Sequence, residues 1–267
     1  MNAFIELERV EFRVLGALRC LDAVTGTPIE RAMSVEAQGT RIVRNRSGLY
    51  VLIEAPGFDD YNASFPAPPA TPAVGSVAFP VTVSDPLGAY LPRSASISLP
   101  RDPDPANAGS DTSLFRPIEL PMLPSPAGAV ATNWAVLRIS VTANNGDCLG
   151  GALIRVLRNG SVLARGLSDW RGEALVPVAG VPVTTFSEDA NAVVITEIEV
   201  ALQAVFDAAS GLRTPAANVA AGSTPPQLPV VDPTALEAAV NTLPAVQQQL
   251  MIAARREQAL SLVIDLP

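Results

Sequence analysis

The chain contains no histidine and only two cysteines, Cys20 and Cys148. Histidine is the usual general base and the usual partner of a nucleophilic serine or cysteine. A structural zinc site needs four nitrogen or sulfur ligands, which these residues do not supply. Phosphate loops, dinucleotide-binding glycine motifs, serine-hydrolase elbows and EF-hand loops are missing as well. The sequence therefore predicts no catalytic residues, no cofactor and no metal, and it argues against an enzyme.

Basic residues and long apolar runs are also scarce. Lys and Arg total 18 against 26 Asp and Glu, so the net charge is −8, which repels nucleic-acid backbones and anionic lipid heads. No apolar run reaches the roughly 18 residues that a membrane helix needs, and the charged first residues do not resemble a secretory signal. We expect no nucleic-acid partner, no membrane insertion, a cytoplasmic location and reduced cysteines.

Proline and apolar residues, in contrast, are abundant. The 25 prolines compare with about 13 expected at ordinary usage, and proline suits loops and edge strands better than helix interiors. Apolar residues make up 48% of the chain and charged residues 16%, enough to bury a core. This composition predicts a folded, all-β protein.

One pattern of strands and turns occurs twice. In the first copy an apolar strand at residues 12–21 precedes a turn at Gly26, and the corner Asn45-Arg-Ser-Gly48 leads into another strand. In the second copy a strand at residues 134–142 precedes a turn at Gly146, and the corner Asp169-Trp-Arg-Gly172 leads into a strand. We therefore predict an all-β fold of two tandem Ig-like β-sandwiches, residues 1–125 and 126–267.

The C-terminal part of the chain has further patterns. Residues 194–206 alternate apolar and polar side chains, which predicts a strand with one buried face. Residues 207–229 are rich in Ala, Pro, Thr, Ser and Gly, which predicts a long mobile loop.

A short helical insertion is predicted next. Asp232 is a suitable N-cap and Pro233 a suitable first helical residue, and apolar residues follow at helical spacing. We expect a helical segment over about 233–256, ending at Arg255 and Arg256, and a final strand over about 259–266 that returns to the second sandwich.

Candidate contact residues lie in the second copy and in the loop after it. Trp170 follows Asp169 in a corner expected to be exposed, and tryptophan often anchors interfaces, although plain packing is an alternative role. We assign Trp170 and Arg171 to a candidate interface, together with Thr214, Pro225 and Pro226 of the Pro-rich arm.

Two other kinds of site remain open. Trp170 or Tyr90 beside loop carboxylates offers a platform for a sugar. Asp59 and Asp60 are able to ligate calcium, although adjacent exposed aspartates are more typical of a solvated turn. A glycosidase needs two carboxylates that face one cleft, and among 26 acidic residues some pair arises by chance.

Residues 26–51 and 146–176 carry a resemblance to a known family. Gly26-Thr-Pro-Ile-Glu-Arg-Ala32 and Gly146-Asp-Cys-Leu-Gly-Gly-Ala152, with the corners that follow, are similar to carboxypeptidase-regulatory-like (transthyretin-like) sandwich domains. That family typically has a Gly-x-Pro-Leu-x-Gly-Ala turn and a Thr-Asp-x-x-Gly corner. The first copy departs from the pattern because Asn45 replaces the corner aspartate. The resemblance implies the fold rather than a reaction.

The order of modules resembles a second group of proteins. Two such modules, a Pro-rich joint and a helix-strand tail are similar to accessory structural proteins of phage-tail-like contractile injection systems. This resemblance implies a non-catalytic cap, adaptor or baseplate component that contacts other subunits and copies of itself. It also implies assembly in the cytoplasm and a place in a released particle. The alternative is a carbohydrate- or cell-surface-binding module at a fibre or tail tip.

Overall fold

A computed structural model describes residues 13–63, 70–182, 185–186, 193–194 and 197–266. These residues form mainly β-strands in several sheets, with three short α-helices. The predicted all-β class is thus confirmed, while the arrangement as two Ig-like sandwiches remains a prediction. The start of the first repeat, up to Phe12, lies outside the described residues.

Within the described residues, the first part of the chain contains seven strands and one α-helix. They are β1 (Gly16–Asp22), β2 (Ser34–Glu36), β3 (Arg41–Arg44), β4 (Tyr50–Glu54), α1 (Asp59–Ala63), β5 (Val77–Ser84), β6 (Arg93–Leu99) and β7 (Ile118–Met122). One sheet has the order β3-β4-β1-β7, and a second has the order β2-β5-β6.

The second part, as far as the structure describes it, contains eleven strands and two α-helices. They are β8 (Ala135–Ala143), β9 (Cys148–Gly150), β10 (Leu153–Arg158), β11 (Ser161–Leu167), β12 (Glu173–Val178), β13 (Thr185–Phe186), β14 (Val193–Val194), β15 (Glu197–Val205), β16 (Leu212–Thr214), α2 (Ala216–Ala220), α3 (Pro233–Ala238), β17 (Ala245–Ala253) and β18 (Glu257–Ile264). One sheet has the order β12-β8-β9-β16 with β18 beside β8, and another has the order β11-β10-β15-β17. Strands β13 and β14 pair with each other.

The chain divides into two compact units that interleave along the sequence. Unit 1 comprises Met1–Arg19, Glu36–Pro80 and Ile97–Glu119, and unit 2 comprises Cys20–Val35, Val81–Ser96 and Leu120–Pro267. These units do not coincide with the predicted halves 1–125 and 126–267, so that boundary stays a prediction.

The core of unit 2 lies between its two large sheets. Leu137, Ile139 and Val141 of β8 are buried in the same apolar cluster as Val200 and Leu202 of β15. Along β15 every second residue is buried from Ile198 to Ala204, so the predicted period-2 strand is confirmed there, whereas residues 195 and 196 lie outside the described part. Alternating residues of both sheets thus belong to one apolar cluster.

Strand β8 is the central strand of its sheet. It pairs antiparallel with β12 on one side and parallel with β18 on the other. The last strand therefore returns to the second repeat, as the alternation near residues 259–266 predicts.

Unit 1 has its own buried residues around β1 and β4. Leu18 and Leu52 are fully buried on these paired strands. Phe58 and Tyr61 at α1 pack edge to face with ring centroids 6.0 Å apart. Asp59 and Asp60 form the exposed first turn of α1.

The predicted helix over 233–256 is correct only at its start. Helix α3 ends at Ala238, and residues 245–253 form β17, which pairs with β15 over its full length. Apolar residues at 246, 250, 253 and 254 fit a helical period, but nine ladder pairs with a distant strand outweigh that local preference. Arg255 and Arg256 lie in the turn between β17 and β18 rather than at a helix end.

The predicted mobile loop over 207–229 is also partly wrong. Leu212–Thr214 form β16, which pairs with β9, and Ala216–Ala220 form α2. Asp207 starts a turn in which its side chain accepts from the Ala209 N–H at 2.9 Å and the Ser210 hydroxyl at 2.7 Å. Side-chain-to-backbone bonds of this kind give the segment local order that its composition does not reveal.

Candidate functional site

A four-residue corner occurs in both repeats with the same hydrogen bonds. Asp169 Oδ1 accepts from the N–H groups of Arg171 and Glu173 at 2.8 and 3.1 Å, and the Gly172 N–H donates to the Asp169 carbonyl at 2.9 Å. Asn45 Oδ1 accepts from the N–H groups at positions 47 and 49 at 3.0 and 2.9 Å, so asparagine serves equally as the acceptor. The sequence repeat therefore corresponds to a repeated turn geometry.

Asp85 forms a third corner of this type. Its Oδ1 accepts from the Leu87 N–H at 3.0 Å, and its Oδ2 accepts from the N–H groups of Ala89 and Tyr90 at 2.7 and 3.1 Å. The Gly88 N–H donates to the Asp85 carbonyl, as in the other two corners. The Asp85 and Asp169 corners lie in unit 2 and face one groove.

The groove has a volume of about 870 Å³. Four segments form it, namely the Asp85 corner with the residues after it, residues 125–127, the Asp169 corner, and residues 227–230. We call it the Trp170 groove; its lining includes Asp85, Tyr90, Leu91, Pro92, Pro126, Asp169, Trp170, Arg171, Gln227, Leu228 and Val230.

The wall formed by Asp85 and Tyr90 is a closed polar network. Arg31 forms a bidentate ion pair with Asp85, whose side chain is fully buried. Burial acts to raise the pKa of Asp85, but the hydrogen bonds from Arg31 and from three backbone amides outweigh it, so the pKa is lowered. The Asp85 carboxylate is thus held ionised and fully bound.

Tyr90 is fixed by the same network. Its hydroxyl donates to Asp22 Oδ2 at 2.7 Å, and the Arg31 guanidinium lies 5.3 Å from its ring centroid. Burial, followed by the hydrogen bond to Asp22, raises the pKa of Tyr90 to about 12. The ring therefore stands as a rigid, neutral wall of the groove.

Trp170 also lines the groove, and its side chain is half-buried. Its neighbour Arg171 donates to Asp169 Oδ2 from Nε at 2.9 Å and pairs with Glu173 at 2.8 Å, so both charges of the corner are satisfied locally. Next to the corner, a Cβ on Gly150 would lie 2.9 Å from the Trp170 Cα. A glycine at this position lets the corner pack directly against the turn before β10.

Residues 227–230 also line the Trp170 groove. Leu228 is 48% exposed and Val230 37% exposed, while Val231 is buried. A Cβ on Gly151 would lie 2.8 Å from Val231 Cγ1, so the small turn residue permits the close approach of this segment. Since the Asp85 and Asp169 carboxylates are bound, the groove presents mainly apolar and aromatic surface.

Several residues that the sequence marks as candidates line this groove. Trp170, Arg171 and the alternative sugar residue Tyr90 line it together. Pro226 is exposed and Pro225 half-buried, just before the lining residues 227–230. Thr214, in contrast, is only 4% exposed in β16, so it offers little surface to a partner.

Sequence reasoning missed Leu228, Val230 and the Asp85 corner as parts of this site. The Asp85 corner is predictable from sequence, because Asp85-Pro-Leu-Gly88 repeats the spacing of Asp169-Trp-Arg-Gly172. Leu228 and Val230 are not predictable in this way, because they lie in a Pro-rich stretch whose composition gives no indication of order.

Within the described residues there is no group of three or more acidic or cysteine side chains placed to hold a metal ion. No helix in the same part of the chain is both long and apolar enough to cross a membrane. No family model, no curated protein and no solved structure matches the chain.

Proposed function

We propose that this protein is a non-catalytic structural or adaptor component that acts through protein–protein contacts. The observation that carries the proposal is the Trp170 groove, in which the carboxylates are bound and Trp170, Leu228 and Val230 offer apolar surface. Contiguous apolar surface with a central tryptophan is typical of docking sites.

The assembly that we propose for it is a phage-tail-like contractile injection particle, at a cap, adaptor or baseplate position. This part of the proposal rests on the resemblance of the two modules and their tail to accessory proteins of such particles. The same resemblance favours a protein that is made in the cytoplasm and leaves the cell only within a released particle. The net charge of −8 agrees with protein rather than nucleic-acid partners.

We further propose that the two repeats are Ig-like, transthyretin-like β-sandwich modules. The matching corners at Asn45 and Asp169 support this, since each leads into a strand paired with the opening strand of its repeat. The core between the two large sheets of unit 2 supports it for the second repeat.

Replacement of Trp170 tests the docking role. Purified full-length protein is immobilised and presented with purified sheath, tube and baseplate proteins of a contractile injection system from the same genome. We expect one of them to bind, and Trp170→Ala to weaken that binding at least about tenfold, as interface tryptophans usually do.

Phe115→Ala is the matched control, because Phe115 is 57% exposed and is not among the residues that line the groove. It should bind like the wild type. If the wild-type protein is folded and binds none of these components, the proposal is overturned.

A second candidate function is carbohydrate or cell-surface binding at a fibre or tail tip. It is favoured by the convergence of Tyr90 and Trp170 on one groove, because two rigid aromatic rings are able to stack on a sugar. Binding on a glycan array that disappears with Trp170→Ala, without binding to particle components, would support this function over the first.

A further inference from the structure

Strand β17 ends its sheet, and its ladder shows which backbone groups are unused. In the described part of the chain its one strand neighbour is β15, paired from Ala253 to Ala245. The Phe206 N–H donates to the Pro244 carbonyl at 3.0 Å, and hydrogen-bonded pairs alternate along an antiparallel ladder. The even-numbered residues of β17 therefore bond to β15, and the backbone groups of Gln247 and Gln249 point to the open edge.

The carbonyl of Met251 supports this assignment. It accepts from Gln258 Nε2 at 2.7 Å, so an odd-numbered residue of β17 is bonded by a group outside β15. Gln247, Gln248 and Gln249 are exposed, in keeping with an uncovered edge.

This edge lacks the usual protection against pairing with another chain. Natural edge strands carry charges, prolines or bulges, or are very short. Strand β17 has nine residues, Ala-Val-Gln-Gln-Gln-Leu-Met-Ile-Ala, with no charge, no proline and an unbroken register. The other end strands of the two large sheets each carry a charge within the described residues, namely Arg165 (β11), Glu173 (β12), Arg213 (β16) and Glu257 (β18).

We propose that β17 pairs antiparallel with β17 of a second copy of this chain, about a two-fold axis at Gln248. The inference rests on the proposed function, because an assembly component needs contacts between copies. In this register Gln247 of each copy faces Gln249 of the other. Each of these two pairs forms two hydrogen bonds, so the open N–H and carbonyl groups of both residues are all bonded.

The side chains are self-complementary in the same register. Val246 and Leu250, which are partly buried against the core, meet across the axis and extend one apolar row through both copies. Gln248 meets its own symmetry mate, and two amides are able to hydrogen-bond to each other. No charged pair is brought together within β17. A self-paired edge of this composition identifies a second copy as the occupant.

Charge substitution at the axis tests the pairing. Lysine or glutamate at position 248 keeps the backbone bonds to β15 but places like charges directly opposite each other. By analytical ultracentrifugation of the full chain we expect wild-type dimers and a dissociation constant raised at least about tenfold by Gln248→Lys or by Gln248→Glu. An equimolar mixture of the two variants should restore dimers, because opposite charges then face each other.

Gln38→Lys is the matched control, since Gln38 is exposed in a turn outside β17, and it should dimerise like the wild type. A wild type that stays monomeric up to about 100 μM overturns the inference. So does a wild type dimer that both Gln248 variants leave unchanged, or a mixture that stays monomeric. Because Gln248 does not line the Trp170 groove, binding to particle components by a monomeric wild type would separate failure of this inference from failure of the proposed function.

Discussion

Gly172 occupies a position that only glycine fills without rearrangement. Its φ is +74°, and a Cβ there would lie 2.4 Å from the Val141 carbonyl oxygen. Gly180 has the same φ of +74°, but nothing lies within 4 Å of a Cβ there. The two residues separate the cost of the left-handed backbone from the cost of a steric clash.

We therefore expect Gly180→Ala to lower the free energy of unfolding by about 1 kcal/mol, and Gly172→Ala by about 3 kcal/mol. Chemical denaturation of the two variants beside the wild type measures both values. Equal losses would mean that the corner relaxes around the added methyl group.

Asp85 gives the fold a pH dependence with a defined sign. Its pKa is lowered in the folded protein, because the bonds from Arg31 and the backbone amides outweigh burial. Its contribution to stability is then complete above the unfolded-state pKa of about 4 and is lost as the pH falls through the lower folded-state value. Asp85→Asn should reduce the acid-induced loss of unfolding free energy relative to wild type, measured by denaturant titrations at several pH values. Parallel pH profiles for the two proteins would contradict this.

At the scale of elements, the N-cap residue of helix α3, Asp232, also forms an ion pair with the buried Arg93. Asp232 Oδ1 accepts from the Thr234 N–H at 2.9 Å and lies 3.5 Å from Arg93 Nη2. The Arg93 side chain is only 5% exposed, and burial lowers its pKa against the opposing charge of Asp232. One carboxylate thus starts a helix and neutralises a cation.

Two substitutions at Asp232 should separate these roles. Asp232→Asn keeps a capping oxygen but removes the charge, and we expect a loss of about 2 kcal/mol of unfolding free energy. Asp232→Ala removes both, with a loss of about 3 kcal/mol because an N-cap contributes about 1 kcal/mol more. Denaturation curves measure the difference, and equal losses would show that the cap contributes nothing.

The elements also show what the sequence can and cannot predict. β15 and the Asp169 corner follow from alternation and from Asp-x-x-Gly spacing, which are local signals. The four-residue spacing of Val246 and Leu250 favours a helix at β17, whereas the partner strand β15, which makes this segment a strand, is distant in sequence. The place of Trp170 in a corner marks it as a contact candidate, whereas Leu228 lies in a segment whose neighbours Pro229 and Val231 pack close to Gly151, a contact between residues distant in sequence.

At the scale of the whole molecule, the net charge of −8 acts against contacts between copies. Such repulsion is screened by salt, whereas backbone pairing and apolar contact along β17 are not weakened by it. Self-association of the wild type should therefore strengthen as the ionic strength rises from about 0.02 to about 0.3 M, as sedimentation equilibrium would record. Weaker association at higher salt would point instead to an interface held by opposite charges.

The position of β8 has a consequence for how the protein is made. β8 emerges from the ribosome well before β18, since Ser140 and the Ser261 that it contacts are 121 residues apart. Throughout that interval one flank of a buried, apolar strand has no neighbour from its own chain. Neighbouring nascent chains on the same messenger RNA can then pair with this flank of β8. Slow translation or crowded polysomes should therefore favour intermolecular misassembly, and a chaperone that shields β8 should favour the native protein.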